Sequence, residues 1–120
     1  DLRADIPEPV TLHPRESTFF NTGIEVAIPE GYFGALAIRS SLACKHGLML
    51  ANSLGIIDSC YRGPVKAKLV NIGRRPYTIN PGDRIAQLLI IPCVHAAFIQ
   101  VDELPESDRG TGGFGSTGAQ

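Results

Sequence analysis

The chain has 120 residues, with 11 Lys and Arg against 12 Asp and Glu and a formal net charge of −1. That length supports one domain with a modest core, and the near-neutral balance gives no general attraction to polymeric DNA or RNA. Three unclustered cysteines (Cys44, Cys60, Cys93) argue against a disulfide framework or zinc finger and for a reducing compartment such as the cytoplasm; no apolar run is long enough for a membrane helix, and none reads as a signal peptide.

Nine prolines and thirteen glycines interrupt the chain every few residues, which leaves short β-type runs and no long amphipathic helix. In chain order, strands are expected over 18–21, 23–28, 33–38, 65–70, 77–79, 85–91 and 95–101, with turn sequences at 28–31 and 80–83. One short helical segment is expected within 39–46. Residues 65–69 alternate apolar and polar, as a half-buried strand does. Residues 85–91 are almost wholly apolar, which predicts a strand covered on both faces, with a second subunit as a candidate cover. Many short strands at this spacing predict an all-β sandwich, barrel or jelly roll.

Five segments carry chemistry. Arg39 with Ser40 and Ser41, between a strand and a helical turn, makes a phosphate cradle or an ordinary surface loop. In 52–63, Asp58 follows an apolar run and is placed to act as a general base on water. Tyr61 there can lie against a sugar, and Asn52 offers both a donor and an acceptor to a base edge. The plainer reading of that stretch is a β-hairpin whose Asp and Gly shape the turn. Gln87 puts an amide inside an apolar strand and needs a partner, whereas Asp83 and Arg84 read as pairing with each other or with a neighbour. Asp1 alone says little.

The last segment, 109–118, holds Arg109, Phe114, Ser116 and Thr117 among five glycines. Glycine makes ordering costly, so the tail is expected to be mobile until a ligand orders it. A guanidinium, a ring and two hydroxyls suit an anionic, planar ligand such as a nucleotide. A disordered linker is the competing reading. His13, His46 and His95 show no metal-ligand spacing and read as structural.

In order and spacing these five segments resemble the five motifs of the trimeric dUTPase family, from Asp1-Leu-Arg-Ala through Arg39-Ser-Ser-Leu-Ala, Gly55-Ile-Ile-Asp-Ser-Cys-Tyr-Arg-Gly and Gly82-Asp-Arg-Ile-Ala-Gln to the glycine-rich tail. The resemblance runs from end to end. It implies an all-β distorted jelly roll assembled as a homotrimer, with a domain over 1–104 and a flexible arm over 105–120 that closes over a neighbouring subunit's site. It implies hydrolysis of dUTP to dUMP and pyrophosphate with Mg²⁺, which limits uracil in DNA and supplies dUMP for thymidylate synthesis.

Under this resemblance Asp58 is the base that activates water for attack on the α-phosphorus, and Tyr61 packs on deoxyribose. Asn52 and the backbone from Gly55 to Ile57 read uracil. Arg39, Ser40, Ser41 and Gln87 contact phosphate. Arg109, Phe114, Gly115, Ser116 and Thr117 are the arm's share, and Asp1 holds Mg²⁺ through water. The chain departs from the family pattern at Cys60, where Asp is usual, and at Pro64, which is tolerable at a strand's start. Two rival readings are a dUTP-gated binding protein and the sister dCTP deaminases. The deaminases carry a catalytic Glu three residues before an Asn, where this chain has Lys68 before Asn71.

Overall fold

Frequent glycine and proline breaks divide the described chain into strands of two to nine residues. The structure, a computed structural model, describes residues 1–118. Its elements are β1 Leu2–Arg3, β2 Val10–Leu12, β3 Ser17–Glu25, β4 Tyr32–Ile38, α1 Ser40–His46, β5 Leu48–Leu50, β6 Gly55–Ile57, β7 Pro64–Asn71, β8 Tyr77–Ile79 and β9 Arg84–Pro92. The sheets run β1-β9-β4-β6, β2-β8 and β3-β7-β5, and all of their pairings are antiparallel. This is the expected distorted jelly roll with one short helix.

One core joins the three sheets. Phe20, Leu48, Leu50, Leu69, Ile79 and Ile85 are fully buried, and each sheet contributes at least one of them. On β7 the expected alternation holds: Val65, Ala67 and Leu69 point inward, while Lys66 is exposed and Lys68 half-buried. Asn71 closes that strand with a fully buried side chain. Its Nδ2 donates to the carbonyls of Leu12 (2.9 Å) and Arg75 (2.8 Å), and its Oδ1 accepts from the Gly73 amide at 2.8 Å. The amide thereby ties β2 to the loop after β7.

The helix and the strands at 33–38, 65–70, 77–79 and 85–91 form where the sequence places them, within a residue or two at the ends. The runs at 18–21 and 23–28 merge into β3, which ends at Glu25 and carries an irregularity between Asn21 and Glu25. Gly23, at φ 69°, lets the strand kink there without ending. Strands β1, β2, β5 and β6 are too short to show a period and exist through their pairing partners. The hairpin expected within 52–63 is not a ladder: β5 pairs with β7 and β6 with β4, so the chain crosses between sheets at this point.

The strand expected at 95–101 is absent; those residues are irregular and exposed. A β-type run becomes a strand only when it pairs with an edge, and among the described residues 95–101 pair with none. Likewise β9 is covered only in its first half. Ile85 and Ala86 are buried, whereas Leu89 and Ile90 stay about half exposed. Beyond Pro92 the chain runs outward, which raises the Cα radius of gyration to 19.0 Å, against ~13.6 Å for a compact domain of this length.

Candidate active site

The sheet crossing builds the first cleft. Because β6 leaves β5 to join β4, it opens a gap against β7, and Asn52, Gly55, Ile57, Asp58 and Tyr61 line it together. The gap encloses about 310 Å³. Asp58 sits just past β6 on a turn closed by the Tyr61 amide, which donates to the Asp58 carbonyl at 3.0 Å. Ile57 before it is buried, whereas Asp58 itself is exposed on the isolated chain. Arg62 braces the turn from outside, donating to the carbonyls of Ser59 (2.6 Å) and Tyr61 (2.9 Å).

Tyr61 lies over the start of β7. Its hydroxyl donates to the Pro64 carbonyl at 3.1 Å. Pro64 is the first residue of that strand, the place where a missing donor costs least. Cys60 is exposed and lies in the turn, so strand alternation does not set its direction.

Sequence reasoning passed over the cleft's other wall: Phe19, Lys66 and Lys68 line it opposite Asp58's segment. Lys66 and Lys68 read only as the polar positions of a half-buried strand, and the pairing of Phe19 with Lys68 across β3 and β7 turns that face into a wall. The Lys68 Nζ stands 5.3 Å from the centre of the Phe19 ring, a cation–π seat. An ammonium has donors only, so Lys68 lacks the acceptor oxygens of a carboxylate.

A second depression, of about 250 Å³, holds Arg39 and Ser41 with Arg3, Asp83 and Arg84 and shares no lining residue with the first. Asp1 pairs with two of its arginines: one carboxylate oxygen lies 3.2 Å from Arg39 Nε and 3.3 Å from an Arg84 nitrogen. Arg84 therefore pairs with Asp1 and not with Asp83, whose carboxylate accepts from the Asn80 amide at 2.8 Å. Ser40 opens α1 and is exposed. Gln87 finds the partner its position required, donating to the Ile38 carbonyl at 3.2 Å just before Arg39.

The tail bonds only to itself among the described residues. Arg109 Nε donates to the Gly112 carbonyl at 2.7 Å, and successive turns run from Ser107 to Gly118. Phe114, Ser116 and Thr117 are exposed, as is Gly115 at φ 91°. One chain thus distributes the five motifs over two separate clefts and an unattached tail.

Among the described residues no group of three or more His, Cys, Asp or Glu converges on a metal position. The Asp1 carboxylate, which the resemblance assigns to Mg²⁺, is held by Arg39 and Arg84. Such a donor fits an ion that keeps its waters and takes its remaining oxygens from a substrate's phosphates.

The dUTPase family model matches residues 1–118. The deoxyuridine 5'-triphosphate nucleotidohydrolase of Leifsonia xyli is 48% identical over 121 residues, covering 98% of this chain and 80% of that protein. That of Coxiella burnetii is 45% identical over 119 residues, covering 98% and 78%. Among solved structures, a variant of the Staphylococcus bacteriophage 80alpha dUTPase with dUpNHpp superposes with a TM-score of 0.90 at 31% identity, covering 99% of this chain and 85% of that one. A dUTPase of S. aureus phage phi11, described with a structural Mg(II) ion, gives 0.78 at 30% identity, covering 88% and 84%. The fold and the site define a member of a nucleotide-hydrolysing jelly-roll class. The chain belongs to the dUTPase family.

Proposed function

We infer that dUTP is bound and cut between two subunits, and that the chain is a dUTP diphosphatase releasing dUMP and pyrophosphate. The observation that carries this reading is the gathering of Asp58, Tyr61, Asn52 and the Gly55–Ile57 edge on one cleft, apart from the arginine cluster that would hold the phosphates. In a homotrimer, one subunit's cleft faces another's cluster. The apolar residues left exposed, Leu89 and Ile90 on β9 and Val94, Phe98, Ile99 and Leu104 beyond it, are the surface such an assembly would cover.

In this reading uracil enters the cleft edge-on against Gly55, Ile57 and Asn52. Backbone groups of fixed polarity accept one pattern of ring donors and acceptors, and a cytosine leaves them unpaired at a cost of ~1–3 kcal/mol each. Tyr61 packs on the deoxyribose. Asp58 takes a proton from the attacking water, aligned on the α-phosphorus. Arg39, Ser40, Ser41 and Gln87 hold the phosphate chain. Mg²⁺, when bound with the substrate, neutralises phosphate charge, and Asp1 orients it through water.

The arm, residues 105–120 beyond the 1–104 domain, supplies Arg109 to phosphate charge, Phe114 to the base, and Gly115, Ser116 and Thr117 to phosphate oxygens. Closure excludes water other than the nucleophile. No helix among the described residues is long and apolar enough to cross a membrane, and with three free thiols we place the chain in the cytoplasm or another reducing compartment.

Pyrophosphate release from dUTP, dCTP, dTTP and UTP with Mg²⁺, together with ammonia release from dCTP, tests the reading. Release from dUTP alone is expected. Silence on all four with dUTP still bound would replace it with the nucleotide-gated binding protein.

A further inference from the structure

A third depression lies between the end of α1 and the loop that joins β7 to β8. It encloses about 460 Å³, and Lys45, His46, Arg74, Arg75 and Tyr77 contribute to its lining, with no carboxylate among the lining residues. The two ion pairs among the described residues are both made by Asp1, with Arg39 and Arg84. Lys45, Arg74 and Arg75 have none. Lys45 and His46 stand in the last turn of α1, where a basic residue complements the helix's carbonyl end. The two arginines have no such local role. In a chain of net charge −1, this is a local surplus of positive charge on a concave surface.

The depression is also held in shape. The Ile72 amide donates to the Gly47 carbonyl at 2.8 Å, and a β-carbon built on Gly47 would stand 2.7 Å from the Gly73 α-carbon. Helix end and loop therefore touch backbone to backbone. The buried Asn71 side chain bonds to Gly73 and to Arg75 from below, and the His46 and Tyr77 rings pack with centroids 4.4 Å apart. These contacts fix the floor of the depression, above which Lys45, Arg74 and Arg75 stay exposed.

We propose that this depression is a second anion site, built for a compact, multiply charged phosphate such as inorganic pyrophosphate. Guanidinium forks match phosphate oxygens two at a time, and two adjacent arginines with a lysine balance a diphosphate. His46 and Tyr77 also border the Arg39–Arg84 depression. There Asp83 and Asp1 interrupt the positive run, so the carboxylate-free surface is short and suits a compact anion better than a polymer. Its position gives released pyrophosphate a holding place one step away from the arginine cluster, a role that rests on the catalytic reading. The binding itself does not.

Calorimetric titration of the intact protein with pyrophosphate, in the absence of Mg²⁺, tests the site. Two binding events per chain are expected. The double variant R74A/R75A should lose one of them or weaken it at least 10-fold while dUTP turnover stays unchanged. R39A should lose the other. Unaltered pyrophosphate binding in R74A/R75A would overturn the site, as would loss of both events in R39A alone. Equally ready displacement by sulfate would reduce it to a generic charged surface. Failure of the catalytic reading would show separately, as absent dUTP turnover in the parent protein.

Discussion

The Tyr61 ring rests on the backbone of Gly63: a β-carbon built at Gly63 would stand 2.7 Å from the Tyr61 Cζ and nearer still to its hydroxyl. Only a hydrogen at that position leaves the ring in place beside Pro64, whose carbonyl it holds. Gly63→Ala should therefore push Tyr61 out toward the cleft without disturbing the core. We expect kcat/KM for dUTP to fall by about 100-fold with an unchanged thermal midpoint. Parent-like kinetics in this variant would separate Tyr61's position from its proposed role at the sugar.

Asp58→Asn keeps the size and most of the hydrogen-bonding of the side chain but removes the base. Turnover should drop by about 10³-fold with dUTP affinity retained, measured by single-turnover kinetics beside equilibrium binding. Retained turnover would sink the assignment of the base.

Asp1 is the single carboxylate shared by Arg39 and Arg84. Asp1→Asn should raise the Mg²⁺ concentration for half-maximal turnover by about 10-fold if Asp1 anchors the ion through water as proposed. A magnesium titration at saturating dUTP checks this; an unchanged midpoint argues that the substrate alone positions the ion.

Deleting residues 105–120 should leave cooperative unfolding intact, since the described part of that tail bonds only to itself. Turnover should fall by about 100-fold. If activity survives, the tail is a linker and not a lid.

Asn71→Leu leaves the Leu12 and Arg75 carbonyls and the Gly73 amide without their partner in the core. A loss of about 3 kcal/mol in unfolding free energy is expected, read by urea denaturation at fixed protein concentration. A loss below about 1 kcal/mol would mean that water takes the amide's place.

The strand-rich class, the helix at α1 and the major strands β4, β7, β8 and β9 are legible in local pattern, and residue type and order nominate the candidate site residues. Periodicity and glycine or proline breaks are local, and the chemistry of Asp58, Tyr61 and Arg39 is carried by residue type and order. Tertiary structure alone decided that 52–63 crosses between sheets, that Lys66 and Lys68 wall a cleft, and that Arg84 answers to Asp1. Each of these depends on which distant strand supplies the partner, a choice no window of sequence contains. The run at 95–101 shows the same rule from the other side. Its residues have the composition of a strand, but backbone hydrogen bonds in a sheet need a second edge, and among the described residues the run pairs with none.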